Sequence, residues 1–215
     1  MQLDAVTPPE VVLFDLGGVL IDWNPRHLYR KLVDDESFVE WFLQEVCSPE
    51  WNAAQDAGRS WAEAIDEAVA RHPEHTALIH AYAERWPEMV AGDIPETVAV
   101  LEALADRQVP LYALTNWSAE TFHHARDRFP WLRHFRDILV SGEVRLKKPD
   151  AAIFRLMLDR MGVEPASVLF IDDSAANVTA SAALGFQTIH FTSPAVLTGD
   201  ARLEHLLRVR EASAA

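Results

Sequence analysis

The chain has 215 residues, 49% of them hydrophobic and 24% charged, an ordinary globular composition that excludes wholesale disorder. Lys plus Arg number 19 and Asp plus Glu 33, a formal net charge of −14, so the chain repels nucleic acid and anionic lipid unless its basic residues cluster; the one cluster is Arg145, Lys147 and Lys148. The single cysteine, Cys47, excludes an intrachain disulfide and a zinc knuckle, so a reducing, cytoplasmic setting is expected, with no signal peptide in Met1–Glu10 and no run near the ~20 apolar residues of a membrane span.

Short apolar runs at Val11–Phe14, Leu111–Leu114, Ile138–Val140, Val168–Ile171 and Thr188–Phe191 are too short for helices and are bounded by polar residues. They read as buried strands. Helical patterns lie between the later runs. Glu96–Arg107 follows Pro95 and carries Val98, Leu101 and Leu104 on one face; Ala151–Met161 repeats this with Phe154, Leu158 and Met161. Ala175–Leu184 is alanine-rich and stops at Gly185, a natural helix terminator. Strands alternating with helices predict a parallel, doubly wound, Rossmann-like α/β sheet. The stretch from Trp23 to Pro95 differs. It offers no convincing strand, helix starts at Asn24-Pro25 and Ser48-Pro49, and apolar stripes Phe38/Trp41/Phe42/Val46, Trp61/Ile65/Val69 and Leu78/Tyr82/Trp86. Residues 23–95 therefore read as an all-helical cap inserted in a core made of 1–22 and 96–215.

Four strand ends carry candidate chemistry. The first strand delivers Asp15, followed by Gly17 and Gly18. Strand carboxyl ends are where ligands bind in open α/β sheets, and glycines there let backbone N–H groups face an anion. The strand before Asp172-Asp173-Ser174 ends in two carboxylates, which repel unless a cation sits between them and which suit Mg²⁺; an acidic helix cap is the competing reading. Thr115 and Asn116 supply a hydroxyl and an amide for a phosphate oxygen, or else cap a helix over Ser118–Arg126. Lys148, held by Pro149, is placed to neutralise a phosphate or a carboxylate, or else belongs to a solvated basic turn.

Taken in order, Asp15, Thr115, Lys148 before Pro149, and Asp172-Asp173 resemble the motif set of the haloacid dehalogenase superfamily, chiefly its phosphatases, over nearly the whole chain. The resemblance implies a Rossmann-like core and a helical cap. It also implies a phosphate-ester substrate and an aspartyl-phosphate formed on Asp15. Mg²⁺ would be held by Asp15, the Gly17 carbonyl and Asp173, with Asp172 acting through water; Thr115 and Lys148 would hold phosphate oxygens. One position departs from the pattern. Gly17 stands where these phosphatases usually carry a second Asp, their general acid/base, although a sugar-phosphate phosphatase subgroup resembles this chain in having Gly there. The dehalogenase branch also lacks that Asp, but it shows small polar residues where this chain has Asp172-Asp173. A non-catalytic binder of a phosphorylated small molecule is the rival class.

Other residues enter with two readings each. Asp22 is a proton source or a hinge residue. Asn177 is a partner of the metal site or a plain helix position. Trp51, Asn52, Gln55 and Asp56 are read as substrate-facing, with Trp51 and Asp56 the leading pair, while the remaining insert tryptophans (Trp23, Trp41, Trp61, Trp86) are mostly cap core. His27, His72, His75 and His80 lack metal-ligand spacing, and Cys47 reads as a buried apolar residue. The expected molecule is a Mg²⁺-dependent phosphomonoester hydrolase, monomer or homodimer, acting on a small phosphorylated metabolite such as a sugar phosphate.

Overall fold

The computed structural model describes residues 8–209. Its centre is a parallel sheet of β1 (Val11–Phe14), β4 (Leu111–Thr115), β5 (Asp137–Val140), β6 (Val168–Asp172) and β7 (Gln187–His190), in the spatial order β5-β4-β1-β6-β7. All five expected strands form, each within one residue of the run that signalled it. Side chains alternate between the two faces of the sheet. Val12, Phe14, Ala113, Leu169 and Ile171 pack with Leu101 and Leu104 of α6 (Pro95–Asp106) and with Leu203 and Leu206 of α11 (Ala201–Val209). On the other face Val11, Leu13, Leu114 and Phe170 meet Ile153, Phe154 and Met157 of α9 (Ala151–Met161), beside α10 (Ala175–Ala183). Each such fully buried Leu, Ile or Phe stabilises the fold by roughly 1.5–3 kcal/mol. With helices on both faces the three central strands, β1, β4 and β6, are buried along their whole length, which explains their uninterrupted apolar runs.

The strand order reverses at β1. The chain runs outward through β4 and β5, then returns to the other flank for β6 and β7. Register fixes what converges there. Phe14 pairs with Ile171 on one side and with Ala113 on the other, so Asp15 leaves the sheet beside Asp172, with Thr115 at the end of the next strand.

Between β2 (Ile21–Trp23) and β3 (Val90–Asp93) lie α1 (Arg26–Leu32), α2 (Glu36–Glu45), α3 (Pro49–Asp56), α4 (Trp61–Arg71) and α5 (Thr76–Glu84). The insert is helical as expected, but its ends are not. β2 and β3 pair antiparallel, Ile21 with Asp93 and Asp22 with Gly92, and a register shift follows Asp22. Trp23 and Val90–Asp93 are thus strand, where the sequence offered none. Only three or four residues long, the ribbon is held by tertiary contacts: Arg128 donates to the Val90 and Ala91 carbonyls at 2.8 and 2.9 Å. The Ser48 hydroxyl accepts from Trp51 N–H at 3.2 Å with Pro49 at the first turn of α3, and Asn24 accepts from Arg26 N–H at 3.0 Å at the start of α1, so both helix-start signals hold. The stripe through Trp86 does not, because α5 ends at Glu84 and Trp86 begins a separate 3₁₀ turn. Trp41 also leaves its stripe and is 41% exposed. No described helix is long and apolar enough to cross a membrane.

Candidate active site

Asp15 is 7% exposed and Asp172 fully buried. Burying carboxylates is costly unless they are paired and hydrogen-bonded, and Lys148 is the partner of both. Its Nζ lies 2.8 Å from Asp15 Oδ2 and 2.7 Å from Asp172 Oδ2. Burial lowers the pKa of Lys148, but the two carboxylates more than offset that and hold it above the usual lysine value. Burial pushes Asp15 up; Lys148 opposes the rise while Asp172 and Asp173 add to it. The Asp15 Oδ1 also accepts from Leu16 N–H at 2.7 Å.

Asp172 has little capacity left for another ligand. Besides Lys148 it accepts from Ser174 N–H at 2.8 Å and from the Asn177 amide at 3.0 and 3.1 Å. Asn177 is therefore a partner of the acid cluster, the first of its two readings. Asp173 is exposed, its pKa raised by burial of its carboxyl and then by Asp172. Oxygens of Asp15, Asp172 and Asp173 lie within 4.8 Å of one another. Three carboxylates against one ammonium leave excess negative charge, and hard oxygen donors at this spacing fit a divalent cation.

Lys148 is positioned from β4. The Asn116 amide accepts from Lys148 N–H at 2.8 Å and donates to the Lys148 carbonyl at 2.9 Å. Asn116 was expected to hold substrate; its amide fixes the lysine loop, because a bent backbone segment at a strand end needs its polar groups paired, and Asn116 also lines the cavity described below. Neither Thr115 nor Asn116 caps a helix over Ser118–Arg126. Residues 119–122 form turns, and α7 spans His123–Arg128. Thr115 is 1% exposed.

Gly18 also changes role. Its N–H donates to the Ile21 carbonyl at 2.9 Å, so it has no backbone donor free for an anion. Its φ is +74°, and a Cβ there would collide with the Asp173 carboxylate. Gly18 makes room for Asp173. Gly17 is open by contrast, with nothing within 4 Å of an added Cβ.

A family model described as haloacid dehalogenase-like hydrolase matches residues 9–185. The chain belongs to this family. Among curated relatives it is 25% identical over 183 residues to the sesquiterpene phosphatase astK of Aspergillus oryzae, covering 85% of this chain and 90% of that one. It is 24% identical over 198 residues to the phosphorylated carbohydrates phosphatase of Thermotoga maritima, covering 91% and 90%. Among solved structures, a haloacid dehalogenase family enzyme of Bacteroides thetaiotaomicron in its magnesium complex superposes with a TM-score of 0.68 at 22% identity, over 94% of this chain and 100% of that one.

In this haloacid dehalogenase-like hydrolase the insert helices and the strand ends share a cavity of about 70 Å³, lined by Gly17 and Asn116 of the core and by Trp23, Asn52, Asp56 and Trp61 of the insert, among others. Asp56 lines the cavity. Trp51 does not. Its ring packs against Trp61 and Tyr82, and its Nε1 donates to the Ala64 carbonyl at 3.2 Å, which makes it core of the insert. Asp22 points elsewhere and pairs with His27 at 3.0 Å. Two residues escaped sequence reasoning. Trp86 lines the cavity and packs on Trp117 with centroids 5.0 Å apart. Ser141, fully buried, accepts from Trp117 N–H at 2.9 Å and donates to the Asp56 carbonyl at 2.5 Å, tying α3 to the core. Its signal was available: Ser141 directly follows the Ile138–Val140 run, as Asp15 and Asn116 directly follow their strands.

Proposed function

We propose that this chain is a Mg²⁺-dependent phosphomonoesterase acting on a small phosphorylated metabolite through an aspartyl-phosphate on Asp15. The observation that carries the reading is the convergence of Asp15, Lys148, Asp172 and Asp173 at the point where the sheet order reverses. Asp15 is the nucleophile: the Leu16 N–H on one oxygen and Lys148 on the other fix the orientation of the carboxyl. Lys148 and the Thr115 hydroxyl bind phosphate oxygens and stabilise negative charge as phosphorus is attacked. Asp172, fully bonded, positions Lys148. Asp15, the Gly17 carbonyl and Asp173, with Asp172 as an outer partner, would hold Mg²⁺, which would supply charge neutralisation for two anions brought together. Residues 23–95 act as the cap that selects the substrate.

A sugar phosphate fits the cavity wall. Trp23 Nε1 and Trp61 Nε1 are buried without a partner, and an unmet buried donor costs about 1–3 kcal/mol; hydroxyl oxygens beside aromatic faces answer both features. The name of the Thermotoga relative, which acts on phosphorylated carbohydrates, agrees with this reading. The test is turnover of p-nitrophenyl phosphate and of a panel of phosphorylated metabolites with Mg²⁺ and with EDTA. Phosphate release that EDTA abolishes supports the reading. Halide release from 2-chloropropionate without phosphate release would replace it with dehalogenation.

A further inference from the structure

A phosphatase that forms an acyl-phosphate must protonate the departing alcohol oxygen and later deprotonate the attacking water. Gly17 has no side chain to do either. Asp22, the proton source that the sequence offers, is held by His27, and the insert histidines His72, His75 and His80 lie beside Glu74 or Glu84. None of them lines the cavity at Gly17.

One carboxyl does. Asp56 is the last residue of α3 and shares the cavity with Gly17. Its backbone is fixed from the core side by the Ser141 hydroxyl, and the turn that follows is packed so closely that a Cβ on Gly58 would lie 2.8 Å from Arg145 Cγ. Its Oδ2 accepts from the Asn52 amide at 3.2 Å, and Asn52 in turn accepts from the Tyr82 hydroxyl at 3.3 Å. Resting on the phosphatase reading above, we propose that Asp56, delivered from the inserted helices, is the catalytic acid/base of this enzyme and takes the place of a carboxyl at position 17.

The chemistry balances. Asp15 attacks phosphorus, the bond from phosphorus to the ester oxygen breaks, and that oxygen leaves with its electron pair and takes the proton of Asp56. Water then attacks the phosphorus of the acyl-phosphate and gives its proton to the Asp56 carboxylate. Phosphate leaves, and Asp15 and protonated Asp56 are restored. Burial pushes Asp56 up to about 7, with Lys147, the Ser118 N–H and Lys148 pulling against it, and a catalyst is most effective as both acid and base when its pKa lies near the working pH. A carboxyl at a helix C-terminus is further disfavoured as an anion by the helix dipole. The titratable neighbours on its side of the cavity are Tyr82, Lys147 and Lys148.

The experiment compares wild type, Asp56→Asn and the double variant Gly17→Asp/Asp56→Asn on two substrates, an alkyl phosphate and a dinitrophenyl phosphate whose leaving group needs no proton. Asp56→Asn is expected to lose roughly 10²–10⁴-fold in kcat/KM on the alkyl ester and far less on the activated one, with a burst of one dinitrophenolate per active site as the acyl-phosphate accumulates. Position 17 has room for a side chain, so the double variant is expected to regain the alkyl activity. Both Asn variants share any packing damage at residue 56, so it cancels in their comparison. Equal losses on the two substrates, or a double variant no better than Asp56→Asn, would overturn the assignment while leaving the phosphatase reading intact. A wild type that turns over neither ester sinks the phosphatase reading and the Asp56 assignment with it.

Discussion

Asp172 and Asp56 are carboxylates drawn out of water, one at the end of a core strand and one at the end of an insert helix, and they are treated differently. Asp172 receives a lysine ammonium, a backbone N–H and an amide at 2.7–3.1 Å. Asp56 receives one amide at 3.2 Å and the Ser118 N–H, with lysines acting on it only through space. An acid whose oxygens are all engaged is a strut: it fixes other groups and has no proton to exchange. An acid left short of partners keeps its proton near neutrality and can move it. The same contrast runs through the two regions around them. At the strand ends Asp15, Lys148, Asp172 and Asn177 bond to one another or to backbone N–H groups, while the insert leaves the indole N–H groups of Trp23 and Trp61 unmet.

That contrast can be broken in several places. Asp15→Asn keeps the shape and the hydrogen bond from Leu16 N–H but removes the nucleophile. Turnover of p-nitrophenyl phosphate is expected to fall on the order of 10⁴–10⁶-fold with an unchanged circular dichroism spectrum; residual turnover above a few per cent would refute the covalent route.

Lys148→Met tests the strut itself. Removing the cation between Asp15 and Asp172 leaves uncompensated buried charge, a loss of about 3–5 kcal/mol. Thermal melting is expected to show this without Mg²⁺, with partial recovery as Mg²⁺ is added. A melting temperature equal to that of wild type would mean the acids are not held as described.

The two neighbouring acids should then separate. Asp173→Ala is expected to weaken Mg²⁺ binding, followed by calorimetry, more than Asp172→Ala does, and the latter by roughly 10–100-fold as an outer partner. The order reverses for stability, since Asp172 carries the hydrogen bonds. Equal calorimetric losses would erase the distinction.

On the insert side, Trp51→Phe removes the indole hydrogen bond to Ala64 and part of the packing against Trp61 and Tyr82. It should lower stability by roughly 1 kcal/mol and leave the ranking of substrates alone; a changed ranking would return Trp51 to the cavity wall.

A further effect is on stability at residue 56. An acid whose folded pKa is raised from 3.8 to about 7 costs the native state stability as pH climbs between those values, because only the unfolded chain ionises there freely. Asp56→Asn should therefore melt above wild type, by a margin that grows from about pH 4 to about pH 7 and is constant beyond. A variant less active but more stable is the signature of a group kept for reaction.

Much of this was legible in the residues. A run such as Val-Val-Leu-Phe before Asp15 admits one structure, and four polar residue sets following such runs name their own meeting place, since parallel strands put all carboxyl ends on one edge. What was not legible depended on tertiary competition. Asn116 and Gly18 had the right chemistry to meet an anion, but Lys148 and Ile21 claim their hydrogen-bonding groups first, and no local pattern records that. Trp51 and Trp61 are equally aromatic; which faces the cavity is set by how α3 and α4 pack. The β3 strand, Val-Ala-Gly-Asp, contains residues depleted in strands, and it exists only because β2 and Arg128 pair with it.

That ribbon has a consequence for how the chain assembles. Val12 pairs with Leu111, close to a hundred residues further on, and the cost of closing a loop grows with the logarithm of its length. Once Ile21 meets Asp93, the whole insert is bypassed and the path between the core strands shortens to about 28 residues, which lowers the closure cost by about 1 kcal/mol. The insert can thus grow, shrink or change its helices while the central strands still find each other across the same short span.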